Sequence, residues 1–88
     1  MFRLWAKIFK DNRILKDYVS STNDYSISRT DMVLNSLSEI CHKFDLAKPI
    51  WLNSNIDEFK KLSKTRFYND SFIESIEFDY LEIQVIEE

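Results

Sequence analysis

The sequence predicts an α+β fold: an antiparallel sheet of three to four strands with two main helices packed on one face, in the order β-β-α-(β)-α-β. Three observations predict it. Residues 2–9 and 78–86 alternate in hydropathy with period two, as half-buried strands do. Residues 33–44 and 56–62 place apolar side chains at helical intervals. Seven Phe, four Tyr and two Trp among 88 residues supply the apolar bulk of one modest core, so residues 1–88 read as a single folded domain.

The elements follow in order. Phe2, Leu4, Ala6 and Ile8 share one face of the first strand, and Arg3, Trp5, Lys7 and Phe9 share the other. Asp11-Asn12 supplies a two-residue turn, since Asp and Asn tolerate positive φ best after Gly. A second strand over 14–19 completes a hairpin. Counting from that turn pairs Ile8 with Leu15, Ala6 with Asp17 and Leu4 with Val19 on the inner side. On the outer side it pairs Phe9 with Ile14, Lys7 with Lys16 and Trp5 with Tyr18. Two facing lysines are unfavourable, so that pairing calls for an acidic neighbour.

Residues 20–27 are a polar loop, and Ser28 with Asp31 three residues on marks a helix start. Val33, Leu37, Ile40, Cys41 and Phe44 form its apolar stripe, and the helix is expected to end near Asp45, ahead of Lys48-Pro49. Ile50-Trp51-Leu52 is either a short strand or an extended connector whose tryptophan caps the core. Asn53-Ser54-Asn55 opens a shorter helix with Ile56, Phe59 and Leu62 on one side, and Asp57 stands four before Lys61, the favourable order for an ion pair. Ser71 with Glu74 suggests one more helical turn before the last strand, where Leu81, Ile83 and Val85 alternate with Tyr80, Glu82 and Gln84. The expected core is Leu4, Ala6, Ile8, Leu15, Val19, Val33, Leu37, Ile40, Cys41, Phe44, Phe59, Leu62, Leu81, Ile83 and Val85.

The net charge of −3 hides a polarity. Residues 1–16 hold five cations against Asp11, whereas residues 67–88 hold seven acids and no cation. Such asymmetry marks either an arm for a charged partner or two ends that lie together and neutralise each other. The second alternative is expected, with the last strand docked on the first hairpin and Glu82 facing Arg3, Lys7 and Lys16.

Function classes narrow by exclusion. Glycine is absent, so no glycine-rich loop can cradle a phosphate. One Cys and one His exclude zinc-finger arithmetic, and no segment has the spacing of a calcium loop. Cys41 and His42 are adjacent on a helix and point about 100° apart, so they do not form a nucleophile–base pair. No catalytic, metal or cofactor-binding residue is expected. A single cysteine, no long apolar run and a start interrupted by charge fit a soluble cytoplasmic protein with no membrane partner.

Two surfaces remain. On the outer hairpin face Arg3, Trp5, Lys7, Lys16 and Tyr18, with Phe9 and Ile14, interleave cations and aromatic rings. That chemistry suits a protein partner or a second copy, forming a homodimer through this face or an open sheet edge. It also suits nucleic acid, which the acidic pI of about 5.1 disfavours. Lys60, Lys61, Lys64 and Arg66 form a weaker basic patch, read as a solvated helix face. The expectation is a small non-catalytic interaction module, the alternative a nucleic-acid-binding domain.

The stretches Asp45-Leu46-Ala47-Lys48-Pro49-Ile50-Trp51-Leu52, Glu58 to Phe67, and Phe78-Asp79-Tyr80-Leu81-Glu82-Ile83 resemble a family of small proteins of unknown function from Gram-positive anaerobic bacteria. The opening Met1-Phe2-Arg3-Leu4-Trp5-Ala6-Lys7 is similar to it as well. The resemblance implies a bacterial cytoplasmic protein and carries over no site residues.

Overall fold

A computed structural model describes all residues from Met1 to Glu88. The chain forms β1 (Phe2–Lys10), β2 (Arg13–Thr22), α1 (Arg29–Lys43), α2 (Asn53–Leu62), β3 (Lys64–Phe67), a single 3-10 turn at Asn69–Ser71, and β4 (Tyr80–Glu87). The four strands make one antiparallel sheet in the order β2-β1-β4-β3. The α+β class is as expected. The most basic and most acidic strands are central neighbours, so the two charged ends of the chain do lie together.

Asp11 and Asn12 close the first hairpin with φ of 53° and 64°. Two consecutive positive φ values give the turn whose twist matches that of the flanking strands. The pairing beyond it differs from the simple count. Phe9 faces Ile14, but Ile8 faces Lys16, so Leu15 is an extra residue on β2. From there Lys7 faces Asp17, Ala6 faces Tyr18, Trp5 faces Val19 and Leu4 faces Ser20. A one-residue slip moves every later side chain to the other face. Leu15 and Val19 are therefore exposed, at 55% and 38%, rather than in the core. The Lys7–Lys16 and Trp5–Tyr18 pairs do not form.

Helix α1 begins as its sequence indicates, with Ser28 Oγ accepting from the Asp31 N–H at 3.1 Å. It ends at Lys43, where Asp45 turns left-handed at φ 56°. The Leu46 N–H then reaches the Cys41 carbonyl at 2.8 Å and the Asp45 N–H reaches that of His42 at 3.2 Å. This double closure usually rests on glycine. Helix α2 starts one residue after Leu52, and Asn55 binds it in place. Its side-chain oxygen accepts from the Leu52 N–H at 3.0 Å, and its amide donates to Thr65 Oγ1 and the Arg66 carbonyl at 2.9 and 2.8 Å. The cap signal thus also ties α2 to β3. Ser63, at φ 54°, makes the reversal between them.

The strand at 64–67 was hidden in the sequence behind the basic run, and residues 50–52 do not replace it. They form a connector, and Trp51 packs edge-on against Phe59 and Phe67 at 5.5 and 5.0 Å. No helical turn forms over 71–74; the 3-10 turn ends at Ser71. The expected Asp57–Lys61 pair is not among the ion pairs of the fold.

One cluster fills the space between sheet and helices. Phe2, Leu4, Ala6, Ile8, Leu81 and Ile83 supply the sheet side, and Val33, Leu37, Ile40, Cys41, Phe44 and Phe59 the helix side. Phe2, Met32, Phe67 and Phe72 join it beyond expectation. Leu62 is 61% exposed because α2 turns it away, and Val85 is only half-buried. No helix is long and apolar enough to cross a membrane.

Candidate functional site: the outer face of the sheet

Helices cover only one face of the sheet. The other carries side chains in rows that run across the strands, fixed by the register. One row reads Asp17, Lys7, Glu82, Arg66 from β2 to β3. The row beside it reads Ile14, Phe9, Tyr80, with Tyr68 following β3 at its end. On the opposite flank lie Val19, Trp5, Gln84 and Lys64, and beyond them Ser21, Arg3 and Glu87.

The charge row is internally paired. Lys7 Nζ sits 2.8 Å from one oxygen of Glu82, and Arg66 Nε donates to the other at 2.9 Å. Glu82 and Lys7 are 3% and 7% exposed, although no layer of backbone covers this face. Their shield is lateral. Lys7 Nζ lies 3.9 Å over the Trp5 ring, and the Arg66 guanidinium lies 4.6 Å over Tyr80. Tyr80 stacks on Phe9 at 5.0 Å and leans on Tyr68 at 5.3 Å. Trp5 Nε1 donates to Asp17 Oδ2 at 3.0 Å, so the acid at the end of the row is engaged too. Burial by itself pushes the Glu82 carboxyl up, but the hydrogen bonds of Lys7 and Arg66 outweigh it and hold the group below its ordinary value. In the last row Arg3 pairs with Glu87 at 3.3 Å.

The expected hairpin surface is therefore divided. Arg3, Trp5 and Lys7 stand on the outer face. Lys16 and Tyr18 stand on the helix side, because of the bulge at Leu15. There the Tyr18 hydroxyl donates to Glu39 of α1, and Ser20 Oγ donates to the same carboxylate at 2.8 Å. Those hydrogen bonds, Tyr18 first, lower the Glu39 pKa, and the bond to Glu39 raises that of Tyr18. Tyr18 fastens the edge strand to the helix. The basic patch is divided as well: Lys60 and Lys61 are exposed on α2, whereas Lys64 and Arg66 lie on β3 and face outward. Beyond the expected hairpin residues, the outer face also carries Asp17, Val19, Tyr68, Tyr80 and Glu82. The period-two pattern of the last strand, with Tyr80 and Glu82 on one side, was the available signal for two of them.

Other features offer less chemistry. Cys41 is buried, and burial pushes its thiol up to about 11, away from nucleophilic use. His42 is exposed beside it. No three His, Cys, Asp or Glu side chains stand together as a metal-binding group. An open hollow of about 400 Å³ at the hairpin end brings Lys10 and Lys16 near Glu74 and Glu77 over an apolar floor of Ile8, Phe44 and Phe72. A second, of about 320 Å³, lies between α1 and α2. The sheet edges are β3, four residues long, and β2, ten residues long; the bulge and charges of β2 blunt its hairpin end. No family model, curated protein or solved structure matches this chain.

Proposed function

We propose that the chain is a small, non-catalytic protein-interaction module that docks through the outer face of its sheet. One observation carries this reading: three of the four cations of that face are already paired within the chain, and only Lys64 stands without an acid. Lys7 and Arg66 share Glu82, and Arg3 pairs with Glu87. What the face offers outward is partly exposed Trp5, Phe9, Ile14, Val19, Tyr68 and Tyr80 around a neutralised row. Phosphate binding needs free cations whose counterions are released. A neutral, aromatic-rich face suits a protein surface instead. The setting proposed for this activity is the bacterial cytoplasm, consistent with a lone buried thiol.

The test compares wild type with Trp5→Ser and Val19→Asp in affinity purification from the source cell at near-native expression. Proteins retained by wild type are expected to be lost with both outer-face variants and kept with Leu34→Ser on α1. Retention of every protein by the outer-face variants overturns the reading. So does tight binding of a single-stranded oligonucleotide that weakens steeply with salt.

A further inference from the structure

We infer that the outer face docks on the same face of a second copy, related by a twofold axis parallel to the strands. This rests on the protein-docking reading above and names its partner. The order of charges in one row of the face points to it. From β2 to β3 it alternates acid, cation, acid, cation: Asp17, Lys7, Glu82, Arg66. Such a row is its own complement when reversed.

A symmetric contact places one patch against itself. Two sheets stacked with aligned strands can do this about an axis along the strands or one across them. An axis along the strands reverses the strand order and keeps each row opposite itself. Asp17 then lies across from Arg66 of the second copy, and Lys7 from its Glu82. An axis across the strands, centred on this row, keeps each strand opposite itself. It sets Asp17 on Asp17 and Lys7 on Lys7, which like-charge repulsion disfavours.

The flanking rows fit the same operation. Reversal brings Phe9 onto Tyr80 of the second copy and Ile14 onto its Tyr68, ring or aliphatic surface in each case. On the other flank Val19 meets the apolar stem of Lys64. The half-exposed residues Ile14, Tyr68 and Val19, at 49%, 49% and 38%, are thereby the ones covered.

The extent of the face sets the strength. Four strands at about 4.8 Å spacing, paired over Arg3 to Phe9, give a patch of roughly 450 Å² on each copy. Two such patches total about 900 Å², just under the size of ordinary specific interfaces, so the dimer is a weak, reversible one, sought between micromolar and millimolar concentration.

Sedimentation equilibrium of the full chain from about 1 μM to about 1 mM brackets that range. The mass is expected to climb from one chain towards two. Asp17→Arg, which would face Arg66 of the second copy, is expected to weaken association at least tenfold, with Asp17→Asn intermediate and circular dichroism unchanged in both. Geometry is read with a thiol crosslinker of about 10 Å span, the separation of packed sheets. In a Cys41→Ser background, Ile14→Cys combined with Tyr68→Cys is expected to give a covalent dimer joining positions 14 and 68. Within one chain these positions are three strand spacings apart, about 14 Å, beyond that reach. Ile14→Cys alone is expected to give none.

A single-chain mass throughout overturns the inference. So does a dimer indifferent to Asp17→Arg, or one linked efficiently through position 14 alone. Any of these three results leaves the docking reading standing if the outer-face variants still lose their retained proteins. Loss of both results removes the face as an interface altogether.

Discussion

Strand β1 buries side chains on both of its faces, by two different means. Phe2, Leu4 and Ala6 reach 0% exposure under a layer of helices. Lys7, on the opposite face of the same strand, is 7% exposed with no layer above it. The inner face excludes water by covering, so its residues must be apolar and shaped to fit. The outer face excludes water sideways, through the rings of Trp5, Phe9 and Tyr80 and the stem of Arg66. A charged pair survives there because each member has its partner at under 3 Å. Burial alone therefore does not identify the core of this sheet.

The largest test of that contrast is Phe67→Ala on the inner face. Phe67 is fully buried on a four-residue strand, and its loss is expected to cost about 3–5 kcal/mol, read from urea denaturation. Glu82→Ala on the outer face is expected to cost about 3 kcal/mol, because Lys7 is left buried with no acid bound to it. Replacing both groups with Lys7→Met and Glu82→Leu is expected to recover most of that loss. A double variant no better than Glu82→Ala would show that the pair itself, and not its half-removal, governs stability.

Acid titration gives a smaller and graded effect. Glu82 and Glu39 both have folded pKa values below their ordinary 4.5. Their contribution is complete above that value, where both states are ionised, and is lost as pH falls through the lower folded values. Denaturant midpoints should therefore drop below about pH 4.5. Glu39→Gln should flatten part of the slope. The smallest effect is expected at Leu15. The exposed extra residue of the bulge, changed to Ser, should shift stability by no more than about 0.5 kcal/mol, whereas a core leucine would cost several.

Leu15 also marks where sequence reasoning stops. The hairpin turn, the Ser28 cap and the inner face of β1 were legible because each rests on local spacing or local chemistry, and the meeting of the charged ends because the two segments carry opposite charge. The bulge was not. An extra residue leaves no trace in a segment such as Ile14-Leu15-Lys16-Asp17-Tyr18-Val19, where either face offers apolar side chains. Yet that one slip carried Tyr18 and Lys16 to the helix side and divided the expected surface. Strand β3 was missed for another reason: four residues show barely two periods of alternation, and two of them, Lys64 and Arg66, read as part of a basic run. Tertiary pairing with β4 makes it a strand.

Asp11, Asn12, Asp45 and Ser63 all hold left-handed backbone, and the chain has no glycine to relieve them. Each carries a steric penalty of about 1 kcal/mol that glycine would not, partly offset by the extra freedom glycine has when unfolded. The usual direction of protein engineering is thereby inverted. Glycine, ordinarily a destabilising substitution, is the stabilising one at these turns, because it removes the steric penalty. Asp45→Gly, at an exposed position that closes α1, is expected to raise the melting temperature by a few degrees, about 0.5–1 kcal/mol in stability. The molecule holds latent thermostability in its turns, reachable without touching the core or the outer face.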